Sequence, residues 1–197
     1  MSKNLLVFFF LAIVFGLNAQ TLQLTGVVPL EQYYNYRTDA NLDMSDVSYF
    51  KDVNNHLDKF VGTWIGNYDN NTLELEITIL ENQLNRWISY DKLLIKYKIT
   101  DSNGNEIVNT LNMFDDYKYH IRGKHFASDT SVYTAFYQGF DLDCNQKGYA
   151  ILKVIDSTTI DFWIAPINDS IIEPGCPTGN IHIMPTSLET AVTLTKQ

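Results

Sequence analysis

A β-hairpin pattern between residues 60 and 80 constrains the fold of this chain more than any other stretch. The sequence Gly62-Thr63-Trp64 lies at its beginning, and the turn-forming residues 69–71 divide it. After the turn, apolar residues alternate with polar ones without interruption, the apolar ones being Leu73, Leu75, Ile77 and Ile79. Successive side chains of a strand point to opposite faces, so this alternation predicts a strand with one buried side and one solvated side.

The first 19 residues have the character of a targeting segment. Lys3 supplies a positive charge, and residues 5–17 form an apolar run that is shorter than a membrane-spanning helix. Ala19 is a small residue at a plausible cleavage point, so we interpret residues 1–19 as a secretory signal peptide. The alternative is an uncleaved membrane anchor. On the first interpretation the mature protein is periplasmic or secreted and has no stable membrane span.

The rest of the chain divides into an arm and a β domain. Residues 20–49 are rich in Tyr, Asn and Asp without sustained periodicity, which predicts an irregular N-terminal arm lying across the domain. Residues 45–60 can hold a short helix, because Val53, Leu57 and Phe60 recur at helical spacing. Residues 50–197 contain closely spaced strand and turn patterns, which predict about eight to ten antiparallel strands in one sandwich or barrel.

The charge of the chain excludes some classes of partner. There are 14 Lys and Arg residues against 23 Asp and Glu residues, for a formal net charge of −9, and no run of basic residues. Nucleic-acid binding requires cations that neutralise phosphates, so we predict no nucleic-acid partner and no docking on anionic lipid. The acidic surplus is consistent with solubility. The sequence does not identify a protein partner.

The segment around Trp64 resembles the lipocalins and the wider calycin group. In that group a Gly-x-Trp motif, here Gly62 and Trp64, follows a short helical turn, here residues 57–60. The resemblance implies an all-β fold, a single antiparallel lipocalin/calycin-like barrel with a short N-terminal helix. The motif marks the closed end of such a barrel, whose other end admits small apolar ligands. An Arg on the final strand packs on the Trp in that group, and only Lys196 is basic near the end of this chain.

A second resemblance covers nearly all of the mature chain. Residues 54–64, 97–101, 175–179 and 194–197 are similar to those of an uncharacterised family of short exported proteins from Bacteroidetes, which contain a domain of unknown function. The resemblance implies an exported location and a shared fold. It implies no activity and no catalytic residues.

Inward-facing positions of the predicted strands supply the candidate ligand-binding residues. Ala135 is small and lies between Tyr133 and Tyr137 on the same predicted strand face, which leaves room for an apolar ligand. The alternative is a packed core. The candidates are Trp64, Leu75, Ile77, Ile95, Tyr97, Tyr133, Ala135 and Tyr137. Two function classes remain open: a non-enzymatic carrier or sensor of a small apolar molecule, and an interaction protein that uses its acidic face or Tyr-rich arm on another envelope component.

The remaining chemistry-bearing residues predict a disulfide and little else. Cys144 and Cys176 are the two cysteines of an exported chain, which favours a disulfide over reduced thiols or a metal pair. Residues 141–145 begin like a calcium loop, but Gln146 and Leu152 occupy the positions that need Gly and Glu. No known catalytic motif is present, so we expect no catalytic residues, no metal and no cofactor. A hydrolase of unrecognised type is the remaining alternative.

Overall fold

The computed structural model describes residues 26–140, 146–167 and 184–197. These residues form eleven strands, three 3-10 helices and one α-helix. The strands are β1 (Val27–Pro29), β2 (Tyr49–Lys51), β3 (Gly62–Tyr68), β4 (Asn71–Asn85), β5 (Ile88–Thr100), β6 (Glu106–Asn109), β7 (Ile121–Phe126), β8 (Val132–Gln138), β9 (Lys147–Val154), β10 (Thr159–Pro166) and β11 (Val192–Lys196). The helices are the 3-10 helix Leu30–Gln32, α1 (Tyr33–Thr38), and the 3-10 helices Asp58–Phe60 and Leu188–Thr190.

Eight of the strands close into an antiparallel barrel, which confirms the predicted fold class. Strands β3, β4, β5, β7, β8, β9, β10 and β11 pair in sequence order, and β11 returns to pair with β3. Strand β6 pairs with β5 outside this path, and β1 and β2 form a short parallel extension that joins β5 through β2. No described helix has the length and apolar character required to cross a membrane.

The hairpin predicted around residues 69–71 is present. Asp69 and Asn70 adopt φ angles of 49° and 65° and connect the paired residues Tyr68 and Asn71. Asn and Asp tolerate positive φ better than other non-glycine residues, so this local sequence suits a two-residue hairpin turn. Of the alternating apolar residues predicted for β4, Leu73, Leu75 and Ile77 are buried and Ile79 is partly buried. The inward-facing residues of β5 are also buried, and they are Leu93, Ile95, Tyr97 and Ile99.

The described part of the N-terminal arm is more regular than its sequence suggests. It contains β1, the first 3-10 helix and α1, whereas the helix expected within residues 45–60 is replaced by β2 and the 3-10 helix Asp58–Phe60. Strand β2 forms because Tyr49 and Phe50 pair with β5. The Asp52 carboxylate then accepts hydrogen bonds from the backbone N–H groups of His56 and Leu57, both at 2.8 Å. Sheet pairing and this turn therefore override the helical spacing of the apolar residues.

The arm fills a gap in the barrel wall. Strands β5 and β7 pair only through Leu94–Arg122 and Ile95–Ile121, and they separate beyond these pairs. Side chains of the arm enter the core at this gap, and those buried there are Leu30, Val47 and Phe50. The ring of Tyr33 packs against Phe50, Tyr90 and His125, with centroids 5.1–5.6 Å apart. The described part of the arm therefore packs against the barrel wall.

Trp64 lies at the end of the barrel where β3 begins. It is fully buried, and its Nε1 donates a hydrogen bond to the backbone oxygen of Phe60 at 2.7 Å. The Nζ atom of Lys196, on the last strand, lies 5.2 Å from the centroid of the Trp64 ring. Gly62 adopts a φ of 132°, and a Cβ there would come within 2.8 Å of Lys196 Cε. Lys196 therefore occupies the place that the lipocalin resemblance assigns to an Arg.

A buried carboxylate links the arm to the barrel near this end. Asp91 at the start of β5 is 3% exposed and accepts hydrogen bonds from the Tyr49 hydroxyl and from the N–H groups of Asp52 (2.9 Å) and Asn82 (3.0 Å). Asn82 has a φ of 51° and lies in the irregularity of β4 between residues 80 and 83. One side chain thus fixes β2, the turn after it and the bulge of β4.

Candidate functional site

The structure brings all eight predicted ligand-binding residues together in the barrel interior. They come from strands β3, β4, β5 and β8, and each is at most 1% exposed. Their inward orientation follows from strand alternation, as predicted. The set is Trp64, Leu75, Ile77, Ile95, Tyr97, Tyr133, Ala135 and Tyr137.

Around these residues, the described part of the interior is packed with side chains. The Tyr133 ring lies 5.1 Å from the Phe126 ring and 5.8 Å from the Phe60 ring. Its hydroxyl passes over Gly123, where an added Cβ would come within 2.5 Å of it. Ala135 is paired across the sheet with Gly123 and Ala150, and it is fully buried. Small residues on this wall therefore accommodate large ones instead of leaving an open cavity.

Two hydroxyl groups inside the barrel have no hydrogen-bond partner of acceptable geometry among the described residues. The Tyr97 and Tyr137 rings lie 6.2 Å apart, and both hydroxyl oxygens are buried. Burial raises the pKa of both hydroxyls above the usual range, so they remain protonated. A buried hydroxyl without a partner is unfavourable, so this pair is a candidate contact for a polar group of a ligand.

Replacing Tyr137 with Phe tests whether its hydroxyl is unpaired. Because the variant removes an unsatisfied polar group and keeps the ring, we expect the free energy of unfolding to stay unchanged or to rise by up to about 1 kcal/mol. Urea unfolding followed by circular dichroism measures it. The matched control is Tyr133→Phe, whose hydroxyl accepts a hydrogen bond from Leu93 N at 3.3 Å and whose loss should cost about 1 kcal/mol. A larger loss for Tyr137→Phe than for Tyr133→Phe would show that the Tyr137 hydroxyl has a partner.

A small pocket lies at the end of the barrel opposite Trp64. It offers about 10 Å³ to the centres of water-sized molecules, which is close to the space of a single water. This volume is too small for an apolar ligand that is larger than a water molecule. The lining residues are Tyr68, Asn71, Leu73, Ile99, Met184 and Pro185.

A larger, basic cleft lies on the outside of the barrel where β5 and β7 separate. It offers about 90 Å³ to the centres of water-sized molecules. The residues that line this basic cleft are Tyr33, Asn85, Tyr90, Lys92, Gly123 and Lys124. The sequence does not reveal this cluster, because Lys92 and Lys124 belong to strands that are separated along the chain. Strand alternation is enough to put Lys92 on the outer face of β5, but nothing in the sequence puts it beside Lys124.

The hairpin that joins β4 to β5 carries exposed apolar side chains. Asn85 pairs with Ile88, which leaves Arg86 and Trp87 as a two-residue turn, and Arg86 has a φ of 59°. Trp87 is 89% exposed and Leu84 is 70% exposed. We call Leu84, Arg86 and Trp87 the hairpin tip. Asn85 lines the basic cleft, so the hairpin tip and the cleft adjoin.

The predicted disulfide between Cys144 and Cys176 lies outside the described residues, as does the acidic stretch 141–145. Residues 1–19, interpreted as a signal peptide, also lie outside them. Within the described ranges, no group of three or more His, Cys, Asp or Glu side chains is arranged to hold a metal ion.

Comparison with known proteins assigns the chain to a family without assigning a function. The model of a family of unknown function, DUF6705, matches residues 1–181, so the chain belongs to this family. No curated protein and no solved structure matches the chain.

Proposed function

We propose that this member of a family of unknown function is an exported, non-enzymatic β-barrel protein that binds another envelope component on its outer surface. One observation carries the proposal. Trp87, the largest apolar side chain of the hairpin tip, is exposed to solvent. The candidate ligand-binding residues inside the barrel are instead buried among other side chains. Binding at the surface therefore requires less rearrangement than binding inside the barrel.

The hairpin tip has the properties of an anchor for a partner. Tryptophan and arginine are the residue types that most often dominate binding energy at interfaces. Trp87 and Arg86 lie next to each other in a two-residue turn between paired strands, so little conformational entropy is lost when the turn is bound. Single exposed apolar residues are common on proteins, but here Trp87 and Leu84 occur together at one projecting turn.

The Tyr-rich arm contributes less to such a surface than its sequence suggests. Tyr33 and Tyr36 pack against Phe50, and only Tyr34 of the three α1 tyrosines counts among the exposed large apolar residues. The arm therefore supports the barrel wall, and the proposed contact surface is the hairpin tip.

A carrier of a small apolar molecule is the second candidate. The partnerless hydroxyls of Tyr97 and Tyr137 support it, since a ligand with a polar group would satisfy them. This function requires the interior rings to move apart, because Tyr97 and Tyr137 are buried among other side chains of the core.

Site-specific cross-linking in the native cells tests the proposed function. With a photoreactive residue in place of Trp87, we expect a discrete cross-linked product in the envelope or culture fraction. The matched control places the same residue at Ile107, which is 47% exposed on β6 at the opposite end of β5. The mature protein in that fraction should have a mass that excludes residues 1–19.

Four results would count against this proposal. Identical products from both positions, or none from Trp87, would contradict binding through the hairpin tip. If native mass spectrometry shows a small-molecule adduct on the protein isolated from these cells, the carrier function replaces the proposed surface binding. A mass that includes Met1 would contradict the cleaved signal peptide.

A further inference from the structure

The basic cleft has a positive charge that no acidic lining residue compensates, although the Lys124 Nζ also lies 4.4 Å from the centroid of the Tyr149 ring. Lys92 and Lys124 are its charged lining residues, and none of the lining residues is acidic. Lys92 forms no ion pair within the described part of the chain, whereas the next two outward lysines of β5 do. Lys96 pairs with Asp115 at 2.9 Å, and Lys98 pairs with Glu74 at 2.7 Å.

Lys92 is also partly removed from water beside another cation. Burial and the nearby charge of Arg122 lower the pKa of Lys92 below its usual value. Both effects disfavour the ammonium form, and a negative charge placed in the cleft would offset them. The positive charge is notable because the whole chain has a formal net charge of −9.

The remaining lining groups can orient a negatively charged group. Asn85 offers an amide, and Tyr33 and Tyr90 offer hydroxyls. Burial raises the pKa of Tyr90, so its hydroxyl keeps its proton and can donate a hydrogen bond. The space in the cleft, about 90 Å³ for the centres of water-sized molecules, exceeds the need of one water and suits a small group.

We propose that the basic cleft binds an oxyanion, either a free small anion or the acidic group of a larger molecule such as an acidic sugar. Ammonium groups paired with carboxylate, phosphate or sulfate oxygens form the stronger class of hydrogen bonds. The inference goes beyond the proposed function, because an oxyanion can bind here whether or not the hairpin tip binds a partner.

Titrations of the mature protein followed by NMR test this proposal. The probes are inorganic phosphate, sulfate, acetate and glucuronate, with glucose as the uncharged control, all at constant ionic strength. We expect saturable shifts of the amide signals of Asn85, Gly123 and Lys124 with at least one anion and none with glucose. Tighter binding of glucuronate than of acetate would identify the acidic sugar as the source, and equal binding would identify a free small anion.

A pair of charge-matched variants separates a specific site from general attraction. Lys92→Gln should weaken the binding of the responding anion about tenfold or more, because it removes one charge-assisted contact. Lys98→Gln removes the same charge from the same face of β5 and should change affinity less than twofold, since that lysine is paired with Glu74. Equal weakening by both variants, or no saturable shift with any anion, would overturn the proposal. The amide spectrum of each variant shows whether it is folded, and the result does not depend on the cross-linking experiment.

Discussion

Replacing Trp64 with alanine is expected to lower the free energy of unfolding by about 3–5 kcal/mol. The ring is fully buried, donates a hydrogen bond to Phe60 O at 2.7 Å and lies beneath the Lys196 ammonium. Truncation removes the buried apolar surface, leaves a cavity, and deprives the Phe60 carbonyl and the Lys196 stem of their partner. The end of the barrel at which β3 and β11 meet should therefore lose most of its packing.

Urea unfolding followed by circular dichroism measures this loss without relying on tryptophan fluorescence. The matched control is Trp87→Ala, which truncates the same residue type at a site that is 89% exposed and should cost less than about 0.5 kcal/mol. A loss below about 1 kcal/mol for Trp64→Ala would mean that this residue does not organise the closed end of the barrel.

Replacing Asp91 with alanine is expected to lower the free energy of unfolding by about 2–4 kcal/mol. The variant leaves three donors without their acceptor, namely the Tyr49 hydroxyl and the N–H groups of Asp52 and Asn82. Because these donors belong to the arm, the following turn and the β4 bulge, we also expect faster proteolysis within residues 39–46, the exposed stretch just before β2.

The control for this variant is Asp46→Ala, which removes an exposed carboxylate from the same region of the chain. It should change the free energy of unfolding by less than about 0.5 kcal/mol. If Asp91→Ala and Asp46→Ala lose the same stability, or if proteolysis of the arm is unchanged by Asp91→Ala, the buried carboxylate does not hold the arm on the barrel.

The Asp91→Ala variant also tests the proposed function, because the Asp91 carboxylate binds both the arm and the strand that leads to the hairpin tip. Asp91 fixes the β4 bulge through Asn82, and β4 continues from there to the hairpin tip. Loss of this carboxylate should therefore loosen the turn that presents Trp87 as well as the arm. A partner that binds the hairpin tip should bind the Asp91→Ala protein less tightly than the Asp46→Ala protein.

The main strands, their inward faces and the class of fold follow from local patterns along the chain. The two-residue turn at Asp69 and Asn70 and the alternation after it are local features, so they fix the hairpin and the side on which Leu75 lies. The same reasoning placed Ile95, Tyr97 and Tyr133 in the interior. The predicted barrel is present, and the Lys196 ammonium lies over the Trp64 ring.

The packing of the barrel interior and the grouping of Lys92 with Lys124 depend on tertiary structure. Tyr133 reaches Leu93, forty residues away in sequence, and its hydroxyl fills the space over Gly123, a contact that the small size of Ala135 does not reveal. The basic cleft joins Lys92 and Lys124 because β5 and β7 close the barrel and then separate, a consequence of strand pairing that no local pattern encodes. Strand periodicity gives the direction of a side chain, whereas packing and charge clustering depend on the residues that distant strands bring opposite it.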